Sequence, residues 1–278
     1  MIDGLFQFAF LQHAVISAIL ASIVCGVMGA IISEKKLVMM SGGIAHTAFG
    51  GIGLGHFLKI EPMIGALGFA VCAALGIARI QRGTRTNSDL LIGMFWSLGM
   101  ALGILFIALT PGYPPDMSSY LFGDILTVSR LDINLMLVLD AVIVFAVWAY
   151  FPLLKAFLFD EEFARVLGIN TRLLENLLYV LIALTIVIVI RVVGIILVIA
   201  LLTIPPAIAK QFSYDLKTIM LLSIGFGITF CLSGLWLSYE LHLSSGAAII
   251  LIAVAGYLVA SGCRAHQRRK TAAAAKAA

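Results

Sequence analysis

The chain has 278 residues, 62% of them apolar and only 12% charged, with a formal net charge of +4 at pH 7. So little polar surface cannot cover a water-soluble globule of this size, which excludes a soluble domain and leaves the bilayer as the solvent. A spanning helix needs about 20 mostly apolar residues, and such stretches follow one another along the sequence.

Residues 1–12 lack the basic start and small-residue cleavage site of a secretory signal peptide, so the first apolar stretch is expected to be retained. Apolar windows lie near 7–32, 37–58, 61–80, 90–110, 133–157, 174–190, 192–210, 217–238 and 244–262. They predict an all-α polytopic membrane protein of nine spans with a single transmembrane domain over 1–262. The sixth and seventh windows touch at Arg191 to Gly194. The long connection from Pro111 to Asp132 holds Asp116, Asp124 and Asp132 against Arg130, and a short amphipathic helix is expected there, with Tyr120, Leu121, Phe122, Ile125 and Leu126 resting on the bundle. Residues 263–278 turn basic (Arg264, Arg268, Arg269, Lys270) and then alanine-rich, and read as a disordered cytoplasmic tail.

Alternating the windows across the membrane sorts the charges. One face receives Lys35, Lys36, Arg79, Arg82, Arg85, Lys155, Arg165, Arg172, Lys210, Lys217 and the basic tail, fifteen of the eighteen Lys and Arg; the other receives Lys59, Arg130 and Arg191. Cytoplasmic loops are the ones enriched in Lys and Arg, which sets the amino terminus outside and the carboxyl terminus in the cytoplasm. Glycine occurs 26 times, including Gly51-xxx-Gly55 and Gly99-xxx-Gly103. Such spacings let helix backbones approach closely in lipid and imply a tight bundle. Cys25, Cys72, Cys231 and Cys263 are scattered singly and read as small packing residues, not a metal or disulfide set.

No Walker-type phosphate loop and no hydrolytic motif is present, so an enzyme is not expected and any ATP that drives the chain must bind elsewhere. His46 lies amid Ile44, Ala45 and Phe49 in mid-span, where a histidine is costly unless it meets partners or a water-filled path. It can serve as a metal ligand or hydrogen-bond across helices, and both readings stand. Glu240 and His242, joined by His56, can face one ion from the outer side or can be solvated loop side chains. His13 reads as structural. Asp140, within the fifth window, needs a partner or a proton. Arg191 reads as an interfacial anchor. Pro205 and Pro206 interrupt the seventh window and suggest a hinge or pathway lining.

Four stretches together resemble the membrane subunits of the zinc and manganese ABC importer family: Ser41 to Gly55, Phe159 to Asn170, Arg191 to Ala207, and Ser244 to Leu251. The likeness covers about Ala14 to Gly262. It implies that two copies form the pore, that two ATP-binding ATPase subunits dock below, and that an extracytoplasmic binding protein delivers the metal. The segment Asp160, Glu161, Glu162, Ala164 and Gly168 has the Glu-x-Ala-x-x-x-Gly spacing of the docking loop in such subunits, the plainer reading being an interfacial amphipathic helix. Family members commonly carry an acid one helical turn before the histidine at position 46; here that place is Gly42. The histidines lean the expectation toward zinc. The chain is thus expected to be an inner-membrane permease subunit with no resident cofactor and no nucleic-acid partner, carrying zinc or manganese as cargo. The competing class is a stand-alone secondary cation carrier that uses Asp140 and His46 as relay groups.

Overall fold

The structure is a computed structural model that describes residues 9–83, 87–112, 120, 121, 123 and 125–277, and the side chains of these except Leu126 and residues 267–277. Its elements are helices: α1 (Ala9–Glu34), α2 (Val38–Leu58), α3 (Pro62–Gly83), α4 (Ser88–Leu109), a 3-10 turn (Ile125–Thr127), α5 (Arg130–Ala149), α6 (Phe151–Phe159), α7 (Glu161–Val166), α8 (Thr171–Phe212), α9 (Leu216–Leu241) and α10 (Ser245–Ala277). In hydrocarbon every backbone polar group must find a partner within the protein, and a helix meets that demand by itself.

Seven of these helices are long and apolar enough to cross a membrane: α1, α3, α4, α5, α8, α9 and the 245–266 part of α10. The fifth and the last of the sequence windows divide differently in the structure. The fifth window is two helices that meet at Tyr150, because Pro152 can open a helix but not continue one. The sixth and seventh windows fall on the two arms of the 42-residue α8, two helices that meet across a kink at Gly194, at φ 77 and ψ 165, within the junction read at Arg191 to Gly194. At about 1.5 Å per residue so long a helix exceeds the bilayer core twofold, and a glycine is what that reversal of φ requires. The last window runs on without a break, since α10 continues through the basic residues to Ala277. Asp116, Phe122 and Asp124, from the expected amphipathic segment, and Arg85 lie outside the described residues. Within that segment Ile125 is buried, and Tyr120 and Leu121 are half-buried.

α8 is apolar all round and buried along most of its length, as a central helix must be. Around it stand α1 and α2, also largely buried, while α4, α5 and α10 expose Leu98, Ile104, Phe145, Trp148 and Leu258 at the perimeter. The tightest packing joins α2 to α3 and α4. There the glycine spacings act as backbone contacts. A Cβ on Gly51 would strike the Gly65 carbonyl, one on Gly99 would strike Thr47, and one on Gly53 would meet the Gly103 carbonyl at 2.6 Å. Thr47 Oγ1 donates to the Gly43 carbonyl at 2.7 Å and lies 3.0 Å from the Phe95 carbonyl, tying α2 to α4.

Among the described residues the ion pairs gather at two ends of the bundle. At one end are Lys35–Glu161, Arg165–Glu161, Arg82–Glu175, Lys155–Asp215 and Lys210–Glu34. At the other, Arg191 pairs with both Glu61 and Asp132. Arg191 is therefore a bridge between three elements, not only an interfacial anchor. Both termini of α8 belong to the first group, through Glu175 and Lys210, whereas Arg191, next to the Gly194 break, belongs to the second.

Candidate functional site

α2 carries the most distinctive polar group inside the bundle. His46 is half-buried, its ring stacked on Trp96 of α4 with centroids 4.0 Å apart and planes 9° from parallel. Its Nδ1 is buried and has no hydrogen-bond partner among the described residues. The cross-helix hydrogen bond weighed from sequence is not made by that atom. One turn earlier, a Cβ on Gly42 would meet nothing nearer than Ile199 Cδ1 and Trp96 Cζ3, both at 3.9 Å. Residues four apart share a helix face, so His46 and Gly42 look together onto Trp96 and α8, and packing leaves room for a larger residue at Gly42.

The outer polar residues do not collect around His46. His56 Nε2 lies 3.3 Å from the Tyr120 hydroxyl, with the rings edge to face. Glu240 and His242 are exposed at the end of α9, where His242 closes the helix in the left-handed region and its Nδ1 sits 3.1 Å from the Tyr239 carbonyl. Among the described residues no three His, Cys, Asp or Glu side chains come together as a group that could hold a metal ion. His13 Nδ1 lies 3.2 Å from the Val128 carbonyl, a structural contact.

The loop 159–170 is built with care. Asp160 caps α7 by accepting the Phe163 amide at 2.9 Å. The helix ends with Gly168 at φ 76, where the Gly168 amide reaches the Arg165 carbonyl and the Ile169 amide the Ala164 carbonyl. That pair of bonds is the Schellman closure, which calls for glycine at the left-handed position. Ala164 is buried, and Glu162, Phe163, Val166 and Leu167 are exposed. Glu161 anchors the loop, accepting from Lys35 Nζ at 3.1 Å and from Arg165 Nη2 at 2.5 Å. Burial pushes its carboxyl up, but those two hydrogen bonds and the charges behind them outweigh it and hold the group below the ordinary carboxylate range.

α8 does not break at Pro205 and Pro206, which are buried within it; the departure lies eleven residues earlier, at Gly194. Pro206 leaves the Leu202 carbonyl without its helical donor. α1 closes over that point, since a Cβ on Gly29 would meet the Leu202 oxygen at 2.6 Å and Pro206 Cγ at 2.8 Å. Asp140 is buried on α5, and neither carboxyl oxygen has a hydrogen-bond partner among the described residues.

Sequence reading missed Trp96, and it named Tyr120 and Lys35 without their partners His56 and Glu161. An aromatic residue inside an apolar window carries no signal of its own, and Lys35 meets Glu161 only because the fold brings together positions 126 apart.

The comparisons with known proteins agree with this arrangement. Residues 7–264 match the model of the ABC 3 transport family. The chain is 43% identical over 258 residues to an uncharacterized membrane protein of Synechocystis, covering 93% of this chain and 92% of that one. It is 32% identical to the manganese transport system membrane protein MntC of Listeria monocytogenes, over 93% of this chain and 92% of the relative. It is also 32% identical to the manganese import system permease protein ScaB of Streptococcus gordonii, over 96% of each. Among solved structures, PsaBC from Streptococcus pneumoniae in complex with Fab superposes with a TM-score of 0.85 at 34% identity, over 93% of both chains. A family match that runs nearly end to end, carried by a bundle of apolar helices with a capped loop at its basic end, makes this multi-pass membrane protein a member of the ABC 3 transport family.

Proposed function

We propose that the chain is the membrane-spanning permease of an ATP-driven importer, which moves a divalent transition metal through the inner (plasma) membrane into the cytoplasm. The observation that carries this reading is the loop at the basic end. A short capped helix presents exposed Phe163, Val166 and Leu167 while Glu161 pins it to the end of α1, as expected of a lever that fits a groove on a partner. The partners in this reading are a second copy of the chain, two ATP-binding cassette ATPases that hydrolyse the ATP, and an extracytoplasmic metal-binding protein. The chain itself performs no covalent chemistry.

Nine crossings follow if α2 is counted and α8 is counted twice. α2 runs from the turn beside Lys35 to His56, which meets Tyr120, and α8 has its termini at the basic end and Gly194 at the other. That both groups of ion pairs join residues assigned to one face supports the odd number, and the excess of Lys and Arg supports a cytoplasmic carboxyl terminus.

In this mechanism ATP-driven closure below displaces the loop, and the bundle re-opens a path lined by His46, Trp96 and the face of Gly42. α8 can flex where Pro205 and Pro206 remove backbone bonds. A path that must release its cargo binds it loosely, so one imidazole per copy suffices in transit. His56, Glu240 and His242 would meet the ion only near the entrance. Manganese is the metal named for the Listeria and Streptococcus relatives, and zinc is the one the histidines favour; uptake separates them.

Vesicles holding the chain with its ATPase and binding protein should accumulate metal only with ATP, and His46→Ala should lower the rate. Gly168→Ala forces a left-handed conformation that costs about 1 to 2 kcal/mol for a residue with a Cβ. It should uncouple ATP hydrolysis from transport without removing the chain from the membrane. Normal ATPase stimulation in both Gly168→Ala and Glu162→Ala would remove the docking role. Asp140, buried and without a hydrogen-bond partner among the described residues, favours one rival, a secondary carrier. Gradient-driven uptake without any ATPase, abolished in Asp140→Asn, would establish that rival instead.

A further inference from the structure

A cavity of about 1160 Å3 lies at the basic end, between the close of α3 and the start of α8. Its lining sets four arginines (Arg79, Arg82, Arg165, Arg172) against two glutamates (Glu161, Glu175), an excess of two positive charges. The six groups are not equivalent. Arg82 is held by the Asn176 side-chain oxygen at 2.6 Å and by Glu175 at 3.5 Å. Arg165 is held by Glu161 at 2.5 Å and by the Thr171 hydroxyl at 3.2 Å. Both glutamates are thus already engaged. Arg79 and Arg172 are exposed and have no partner among the described residues.

The cavity is not only a cytoplasmic dish. Leu75 also lines it, one turn before Arg79 on the same face of α3 and about 6 Å deeper along the axis. Leu75 and the adjoining Ile80 are each 37% exposed. The site therefore joins an apolar side chain one turn further along α3 to guanidinium groups that have no partner among the described residues. Guanidinium is the side chain best suited to phosphate, through paired N–H donors in a fixed plane. Basic pockets between helices at the membrane edge take the headgroups of acidic lipids. We propose that this cavity binds an anionic phospholipid, with Arg79 and Arg172 on the phosphate and an acyl chain along Leu75. Because Glu161 and Arg165 also belong to the loop of α7, a bound lipid braces the wall from which that loop hangs. The proposal needs only the membrane placement of the chain and goes beyond its role in transport.

The test is native mass spectrometry of the purified, delipidated full-length chain titrated with phosphatidylglycerol, with phosphatidylcholine of the same acyl chains, and with inorganic phosphate. Phosphatidylglycerol should bind saturably and be retained over phosphatidylcholine. Arg79→Gln with Arg172→Gln should weaken it about 25-fold, each basic residue near an acidic headgroup contributing about 5-fold. Arg79→Lys with Arg172→Lys should recover most of the binding, and Lys36→Gln, off the cavity, should leave it unchanged. Both altered arginines are exposed, so folding is checked by the helical circular dichroism and not expected to move. Equal binding of phosphatidylglycerol by wild type and the Gln pair overturns the proposal. Full competition by inorganic phosphate alone overturns it in favour of a soluble phosphate ligand. Loss of a co-purifying ATPase in the Gln pair with lipid binding intact overturns it in favour of a protein partner.

Discussion

His46 and Gly42 share a face, and only one of them has a side chain to offer a metal. The gap at Gly42 is not imposed by crowding, since a Cβ there meets its first neighbours at an ordinary 3.9 Å. Gly42→Asp should therefore fold, and would add an oxygen ligand one turn from the imidazole. Ligand charge shifts such affinities by decades, so metal binding by the purified chain, measured by titration calorimetry, should tighten by about tenfold or more while release in transport slows. An unchanged binding constant would take this face off the path. His46 and its place on an apolar helix were legible in the sequence because a polar group within an apolar window stands out. Its stacking on Trp96 was not, because nothing in a run of apolar residues says which ring will meet which. Glu240 and His242 show the converse: neighbours in sequence, they end as exposed groups at a helix terminus, and proximity along the chain did not gather a third ligand around them.

The glycine spacings of α2 and α4 were legible as packing motifs, and the fold uses them as direct backbone contact. The physics makes a sharp contrast testable. Gly99→Val should clash with Thr47 and lower the thermal midpoint markedly, as overpacking costs about 1 to 3 kcal/mol. Gly68→Ala, with nothing within 4 Å of the new methyl, should be neutral or raise stability by up to about 1 kcal/mol through helix propensity. Equal effects in a thermal unfolding assay would contradict the packing of α2 on α4. The loop of α7 has a pH dependence of known sign. Glu161 titrates below its ordinary value of 4.5, so its pairs with Lys35 and Arg165 hold fully above that pH and are lost as the pH falls through the depressed folded value. Amide exchange at 161–168 should accelerate only on that acidic limb, and Glu161→Gln should abolish the transition. The break in α8 falls within the window junction read at Arg191 to Gly194, whereas the interruption expected at Pro205 and Pro206 is not there. Pro205 and Pro206 are conspicuous in sequence, yet a proline pair can sit inside a helix when a neighbour such as Gly29 closes over the freed carbonyl. Gly194 is one glycine among 26, marked in the sequence by the meeting of two apolar windows beside Arg191 and in the structure by its φ.

For the whole molecule, the all-helical membrane class came from counting apolar windows, a quantity that survives any error in helix boundaries, and the proposed sidedness rests on the count of positive charges. The pairing of Arg191 with Glu61 and Asp132 did not come from counting, because it depends on three elements meeting. Sidedness can be measured directly in a background with Cys72 and Cys263 replaced by Ser. Val166→Cys, at a position 84% exposed, should react with an impermeant maleimide only from the cytoplasmic side, and Leu131→Cys, at one 80% exposed, only from the opposite side. Labelling of both from one side would reverse the ordering of the helices. A last consequence follows from the contacts between α2, α3 and α4. Where carbonyl meets backbone there are no rotamers to rearrange, so these three helices behave as one solid plate. His46 and Trp96 are both set in it and travel together, keeping their stack whatever the transporter does. Opening and shutting are then expected across the seam between that plate and α8 at Ile199, and a disulfide closed across it should arrest transport.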